Sequence, residues 1–297
     1  MSEPKVWLIT GANSGLGLAL AQYVLAQGHK VIAGARNPSK IPASLKEAAP
    51  LEIDMNWPDS RIKEAGALAW KLYGHVDVLV NNAGYSLTGV TEVLKAEDVE
   101  MQFKTNVFGA LSLTQALIPL MREVRSGVIF NLSSVAGFAG SPPFAAYNAS
   151  KAALEAFTEA TAVEVARFGI KAYIVEPGYF PTNFLSVAAS TDVPSQVTQK
   201  FYPEYVNTAP AYFAAHVKSG QFGDAEKASA RLFEIATGAS PVKIEDTWRR
   251  IPLGPDCGKR VLAKIKLLQE NVEGLEPVWT STDMAQEMVQ AKFGQYS

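Results

Sequence analysis

A doubly wound parallel α/β sheet of about seven strands is the fold class this sequence predicts. Short β-branched or aliphatic runs alternate with longer amphipathic stretches, a glycine-rich turn joins the first run to the first stretch, and the rhythm repeats through two thirds of the chain. The first strand is VWLIT (6–10), followed by the helical SGLGLALAQYVLAQG. KVIAGA (30–35) is the second strand and LEID (51–54) the third, before the helical DSRIKEAGALAWKLYG. VDVLVN (76–81) is the fourth. GVIFNLSS (127–134) and GIKAYIVEP (169–177) read as buried strands five and six. AAYNASKAALEAFTEATAVEVARF lies between them, its apolar positions recurring at helical spacing. After Gly178 the rhythm breaks. Residues 179–220 place Phe180, Phe184, Phe201, Tyr202, Tyr205, Tyr212 and Phe213 among prolines and small polar residues. WRRIPLG (248–254) supplies a seventh strand, and PDCGKRVLAKIKLLQENVEG reads as a helix with a glycine stop. No repeat or linker interrupts the chain, so residues 1–297 are expected to form one domain.

Composition narrows the function classes. The 297 residues carry a formal charge of −2, with 48% hydrophobic and 19% charged residues, the profile of a globular chain with a sizeable core. Charges of both signs are interspersed, which argues against a nucleic-acid binder and a polybasic membrane patch. The apolar run after MSEPK is too short for a signal-peptide core or a membrane span, so a cytoplasmic protein without membrane insertion is expected. Cys257 is the sole cysteine, which rules out an intramolecular disulfide and reads as an incidental thiol near a helix start. His29, His75 and His216 lack second ligands at helical spacing, and no metal site is expected.

The turn TGANSGLG (10–17) sits where a dinucleotide pyrophosphate binds in a Rossmann-like unit. Gly11, Gly15 and Gly17 permit positive φ and close backbone approach, and with Asn13, Ser14 and Leu16 they open a helix whose free N–H groups favour an anion. The second strand ends in Ala35 and Arg36 rather than in the acid that would bind the ribose 2′-hydroxyl of NAD. Arg36 can instead bond a 2′-phosphate, so NADP(H) is the preferred cofactor, with NAD(H) possible and a merely solvated arginine the alternative. Asp54 is placed to meet the adenine, or to form a turn.

Tyr147 and Lys151 stand four residues apart in YNASK and so share one helix face. A fixed ammonium near a phenol lowers a pKa that is otherwise about 10, making the tyrosine usable as an acid or base.

Together, TGANSGLG, Asp54, NNAG (81–84), Asn106, Ser134, YNASK (147–151), and PG (177–178) followed by PT (181–182) resemble the short-chain dehydrogenase/reductase family over roughly residues 4–182. The resemblance implies that Tyr147 exchanges the proton at a carbonyl or hydroxyl oxygen, that Lys151 tunes the phenol and holds the nicotinamide ribose, and that Ser134 bonds the substrate oxygen. Family spacing selects Ser134 over its neighbour Ser133. It implies further that Asn106 holds a relay water, that Asn82 with Ala83 and Gly84 forms the floor beside the adenosine ribose, and that Pro177, Gly178 and Thr182 meet the nicotinamide, Thr182 being equally a helix cap.

The implied activity is an NADPH-dependent carbonyl reductase or alcohol dehydrogenase. Its substrate is a medium-sized, largely apolar ketone, aldehyde or alcohol beneath a lid spanning 179–220, although the lid aromatics could equally pack against the body or a partner subunit. An NADP-binding sensor and a non-redox isomerase or lyase are the alternatives. Helices near 107–124 and 148–168 resemble the family's dimer interface, and the extension over 259–297 is expected to block a second interface, leaving a homodimer or a monomer.

Overall fold

The computed structural model describes residues 3–182, 184, 195–206, 211, 218 and 223–293. At its centre lies one seven-stranded parallel sheet in the order β3-β2-β1-β4-β5-β6-β7. Its strands are β1 (Val6–Thr10), β2 (Lys30–Ala35), β3 (Ala49–Glu52), β4 (Val78–Asn81), β5 (Gly127–Leu132), β6 (Ile170–Pro177) and β7 (Arg250–Leu253). The order reverses direction between β1 and β4, which pair at Trp7–Val78, Leu8–Leu79 and Ile9–Val80. A crevice opens at the carboxyl ends of strands on either side of such a switch point, so the fold alone places the site there.

Both faces of the sheet are covered. On one face α1 (Gly15–Ala26) and α8 (Ala225–Thr237) pack over a cluster that includes Trp7, Phe130 and Tyr173. Trp7 stacks on Phe233 at 5.9 Å and on Phe130 at 6.5 Å between ring centroids. On the other face α2 (Asp59–Tyr73), α4 (Gly109–Val124) and α6 (Ala145–Ala166) enclose Leu8, Ile32, Leu79, Leu113, Leu117 and Ile129. The inner strands are buried on both faces, and this explains their continuous rather than alternating apolar runs.

Helix α3 (Ala96–Phe103) does not run straight into α4. A π-helical turn, Lys104–Phe108, joins them and carries Asn106. The short α5 (Val135–Phe138) follows β5, and α7 (Gln196–Phe201) is the described helix of the expected lid. After β7 come α9 (Pro255–Gly274), α10 (Glu276–Thr280) and α11 (Gln286–Phe293), so the expected extension is helical.

The third and fifth strands each close two residues earlier than expected. The third strand closes at Glu52, and Asp54 lies beyond it, its carboxylate accepting from Asn56 N at 2.9 Å in a turn. The fifth closes at Leu132, because Ser134 leaves the ladder to cap α5, accepting from Ala136 N at 3.2 Å. Side-chain capping competes with sheet pairing at serine and aspartate, and here it wins at both ends.

Candidate active site

A cleft of about 660 Å³ runs along the carboxyl edge of the sheet. Gly11, Asn13, Ser14, Gly15 and Leu16 line one end with Arg36 and Asp54, while Ser134, Tyr147, Lys151, Pro177, Gly178 and Thr182 line the other. Asn82, Ala83 and Gly84 form the floor between them. All but two of the residues expected from the sequence therefore meet in one space.

Gly17 and Asn106 do not open onto it. Gly17 is a packing glycine: a Cβ there would overlap Asn82 Nδ2 and come within 2.6 Å of the Gly11 carbonyl oxygen. That close approach lets Asn82 Nδ2 donate to the Thr10 carbonyl at 2.8 Å, pinning the NNAG loop to the glycine turn. Asn106 is 1% exposed, and its amide is committed, donating to Tyr85 O at 3.0 Å and Ser150 Oγ at 3.1 Å and accepting from Tyr85 N at 3.1 Å. The side chain locks the π turn onto the cleft wall.

The glycine turn fits a dinucleotide. Gly11 and Gly15 have φ of 65° and 57°, in the left-handed region that disfavours side chains. Ser14 makes no side-chain cap on α1, which leaves first-turn N–H groups for an anion at the positive helix end. Across the cleft the Thr182 side chain comes within 3.6 Å of where a Gly15 Cβ would stand, so a larger residue would fill the cradle. Thr182 Oγ1 also accepts from Phe184 N at 3.3 Å, so it serves as a turn former while facing the cleft.

At the other end α6 presents Tyr147 and Lys151 on one face. Lys151 Nζ donates to the Leu132 carbonyl oxygen at 2.6 Å and lies 5.9 Å from the Tyr147 ring centroid. Ser134 hydrogen-bonds the Tyr147 hydroxyl. The adjacent Ser133 turns the other way, donating to Glu155 Oε1 at 2.5 Å, which separates the two serines that the sequence left adjacent. Burial pushes the Tyr147 phenol up to about 12, against the Ser134 hydrogen bond and with the help of the Glu155 charge. Burial also pushes the Lys151 amine down to about 8, opposed by Glu155. The expected lowering of the phenol is reversed here, because desolvation of the oxyanion outweighs the favourable contact.

Several contributors carried no recognised sequence signal. Glu155 lies one turn beyond Lys151 on α6, and Arg250 of β7 reaches Glu155 Oε2 at 2.7 Å, Glu176 Oε1 at 2.6 Å and Glu159 Oε1 at 2.7 Å. Asp256 on α9 accepts from Tyr179 N at 2.8 Å, and its carboxylate occupies the space a Cβ at Gly178 would need. Asp256 and Arg260 both line the cleft, so α9 contributes part of the wall. Its Cys257 is buried, and burial pushes the thiol up to about 12, well away from reactivity at neutral pH.

The lid is described in part. Phe180 and Phe184 line the cleft with Tyr85, Phe144 and Tyr179, and Phe184 lies 5.7 Å from Tyr147 between ring centroids. Phe201 points to solvent at 61% exposure, and Tyr202 stacks on Tyr205. Tyr212, Phe213 and His216 lie outside the described residues. His29 Nδ1 accepts from Lys5 N, and His75 faces Asp77 at 3.3 Å, both in structural contacts.

A doubly wound sheet with a glycine cradle at its switch point and a Ser-Tyr-Lys cluster in the same cleft defines a nicotinamide-dependent oxidoreductase acting on hydroxyl and carbonyl groups. The short chain dehydrogenase family model matches residues 5–192. The chain belongs to the short-chain dehydrogenase/reductase family.

The chain is 40% identical over 182 residues to a 3-ketodihydrosphingosine reductase of Bacteroides thetaiotaomicron, a match spanning 61% of this chain and 66% of that protein. A short-chain dehydrogenase from Streptomyces avermitilis superposes with a TM-score of 0.80 at 34% identity, covering 96% of this chain and all of that one. An actinorhodin polyketide ketoreductase solved with NADPH superposes with a TM-score of 0.70 at 29% identity, covering 86% and 97% of the two chains.

Proposed function

We propose that the protein is an NADPH-dependent carbonyl reductase, or alcohol dehydrogenase in reverse, acting on a medium-sized, largely apolar ketone, aldehyde or alcohol. The observation that carries this reading is the meeting of Ser134, Tyr147 and Lys151 with the glycine cradle in one cleft whose outer wall is aromatic. Large rings favour apolar or ring-bearing partners, because burial of such faces supplies most of the affinity in a pocket.

A nicotinamide cofactor in this cradle would supply the hydride: Gly11, Gly15 and the uncapped first turn of α1 would hold its pyrophosphate, and Arg36, exposed at the rim, would bond a 2′-phosphate where an NAD-specific chain carries an acid. Ser134 Oγ donates to the substrate oxygen and keeps it beside the Tyr147 hydroxyl. Tyr147, neutral because burial disfavours its anion, donates its proton to that oxygen as the carbonyl carbon is reduced. Lys151, hung from Leu132 O, stands ready to hold the nicotinamide ribose and to return a proton to Tyr147. Asn106 fixes the π turn and Tyr85 at the cleft wall, a positioning role. Asp256 holds the Gly178–Tyr179 turn, which would meet the nicotinamide.

Among the described residues no helix is long and apolar enough to cross a membrane. We place the chain in the cytoplasm as one domain. Phe108 on the π turn, with Phe157 and Val163 on α6, is exposed, as a two-fold partner at these elements requires.

The test follows NADPH absorbance across aldehydes, ketones, steroids, quinones and cyclic diketones, comparing wild type with Tyr147→Phe. Consumption lost with the single hydroxyl supports the reading. Tight NADPH binding without turnover of any compound would favour a sensor or an isomerase.

A further inference from the structure

Among the described residues nothing covers the second half of α9. From Ile265 to Leu275 every residue is exposed, including Ile265 at 47%, Leu268 at 42%, Val272 at 55% and Leu275 at 47%. With the half-buried Val261 these side chains recur at alternating intervals of four and three residues, a mean period of about 3.5. That is the repeat of a helix facing another helix, narrower than the stripe that packs a helix onto a globular core. Leu262 and Val278 widen the apolar strip at its edges, at 68% and 60% exposure.

Charge along the same helix chooses the occupant. Lys259, Lys264 and Lys266 precede the midpoint of the seam, while Glu270, Glu273 and then Glu276 follow it. Asp256 and Arg260 are turned to the body, Arg260 Nη2 donating to the Ala139 carbonyl at 3.0 Å. A parallel neighbour of the same sequence would set lysines against lysines and glutamates against glutamates. An antiparallel one sets each basic half against an acidic half and keeps the apolar seam in contact from Val261 to Leu275, about 21 Å of helix. An anionic lipid surface would attract the first half and repel the second.

We propose that α9 pairs antiparallel with α9 of a second copy of this chain about a two-fold axis, with Val261, Ile265, Leu268, Val272 and Leu275 in the contact. The contact is isologous, the same patch on both copies, and therefore closes on itself. The extension that the sequence reading expected to block an interface is itself one. Because α9 also carries Asp256 and Arg260, pairing its outer part steadies a helix that forms one wall of the cleft.

The experiment measures solution mass by light scattering and sedimentation for the full chain, with far-UV circular dichroism as the check on folding. In Leu268→Gln/Val272→Gln, which keeps good helix formers, the mass of the assembly halves and the dissociation constant rises by about a hundredfold. Lys264→Glu/Lys266→Glu weakens the pair, and adding Glu270→Lys/Glu273→Lys restores it, since the charge pattern is then reversed as a whole. A wild-type mass that is unchanged by the glutamine pair overturns the proposal, as does a wild-type monomer at micromolar concentration. Loss without rescue in the charge series overturns the antiparallel arrangement. A monomer that floats with phosphatidylglycerol vesicles and is released by the glutamine pair would replace the second copy with a membrane surface.

Discussion

Arg250 Nη1 sits 2.7 Å from Glu155 Oε2, so a side chain of the last strand is ion-paired to the catalytic helix one turn beyond Lys151. Glu155 and Glu176 are 3% and 0% exposed, and Arg250 is their shared cation. Removing one partner of a buried ion pair leaves an uncompensated charge. Arg250→Ala is therefore expected to lose about 3 kcal/mol or more of unfolding free energy in urea, with Arg250→Lys recovering part of it. Equal stability of Arg250→Ala and wild type would show that the two buried carboxylates do not depend on this cation.

The direction of the phenol shift fixes a pH dependence. A folded-state pKa pushed up to about 12 keeps Tyr147 protonated throughout the neutral range, so the proton donor for reduction is always present. The steady-state kcat/KM for carbonyl reduction should thus be flat from about pH 6 to pH 7, as far as this group is concerned. Alcohol oxidation needs the phenolate and should climb roughly tenfold per pH unit toward the alkaline side. Lys151, pushed down to about 8, changes charge within the accessible range and bends both profiles near that pH. Its contribution to stability has the opposite sign to a salt bridge. Between about 8 and the ordinary lysine value the unfolded chain binds the proton more tightly, so stability should rise with pH across that window. Profiles in which oxidation and reduction share one pH dependence would remove Tyr147 from the proton transfer.

The proposed preference for NADPH rests on Arg36. Arg36→Ala should weaken NADPH binding by about 1.5–3 kcal/mol, the scale of a hydrogen bond to a charged group, and leave NADH nearly unchanged. Isothermal titration with both cofactors makes the comparison, and an equal loss for each would show that Arg36 does not read the phosphate.

Gly17 tests the close packing of the glycine turn against the NNAG loop. Gly17→Ala puts a methyl into Asn82 Nδ2 and within 2.6 Å of Gly11 O, so a backbone or amide shift must follow. Overpacking of this kind costs about 1–3 kcal/mol, and the displaced glycine turn should lose cofactor affinity as well. Thermal unfolding with and without NADPH separates the two effects. A variant with normal melting and normal binding would contradict the close packing.

What the sequence determined by itself was local: seven strand runs, the glycine turn, the Tyr-Lys spacing and the arginine at the end of β2. Each depends on neighbours within a few residues, where periodicity, φ preference and helix geometry act directly. The spatial strand order, which places the cleft at the switch between β1 and β4, belongs to the tertiary structure. The tertiary structure decided what depends on contacts between distant segments. Ser133 and Ser134 are adjacent and chemically equal; family spacing favours Ser134, and the position of Glu155, 22 residues from Ser133, shows where the other hydroxyl is bound. Asn106 lies in a π turn because Tyr85 and Ser150, far apart in the chain, both bind its amide. Gly17 serves packing because Asn82 comes to rest against it. The phenol shift reversed sign because burial, a property of the whole fold, outweighed the spacing of two residues on one helix. Local pattern fixes which groups are available, and desolvation and long-range packing fix what each group does.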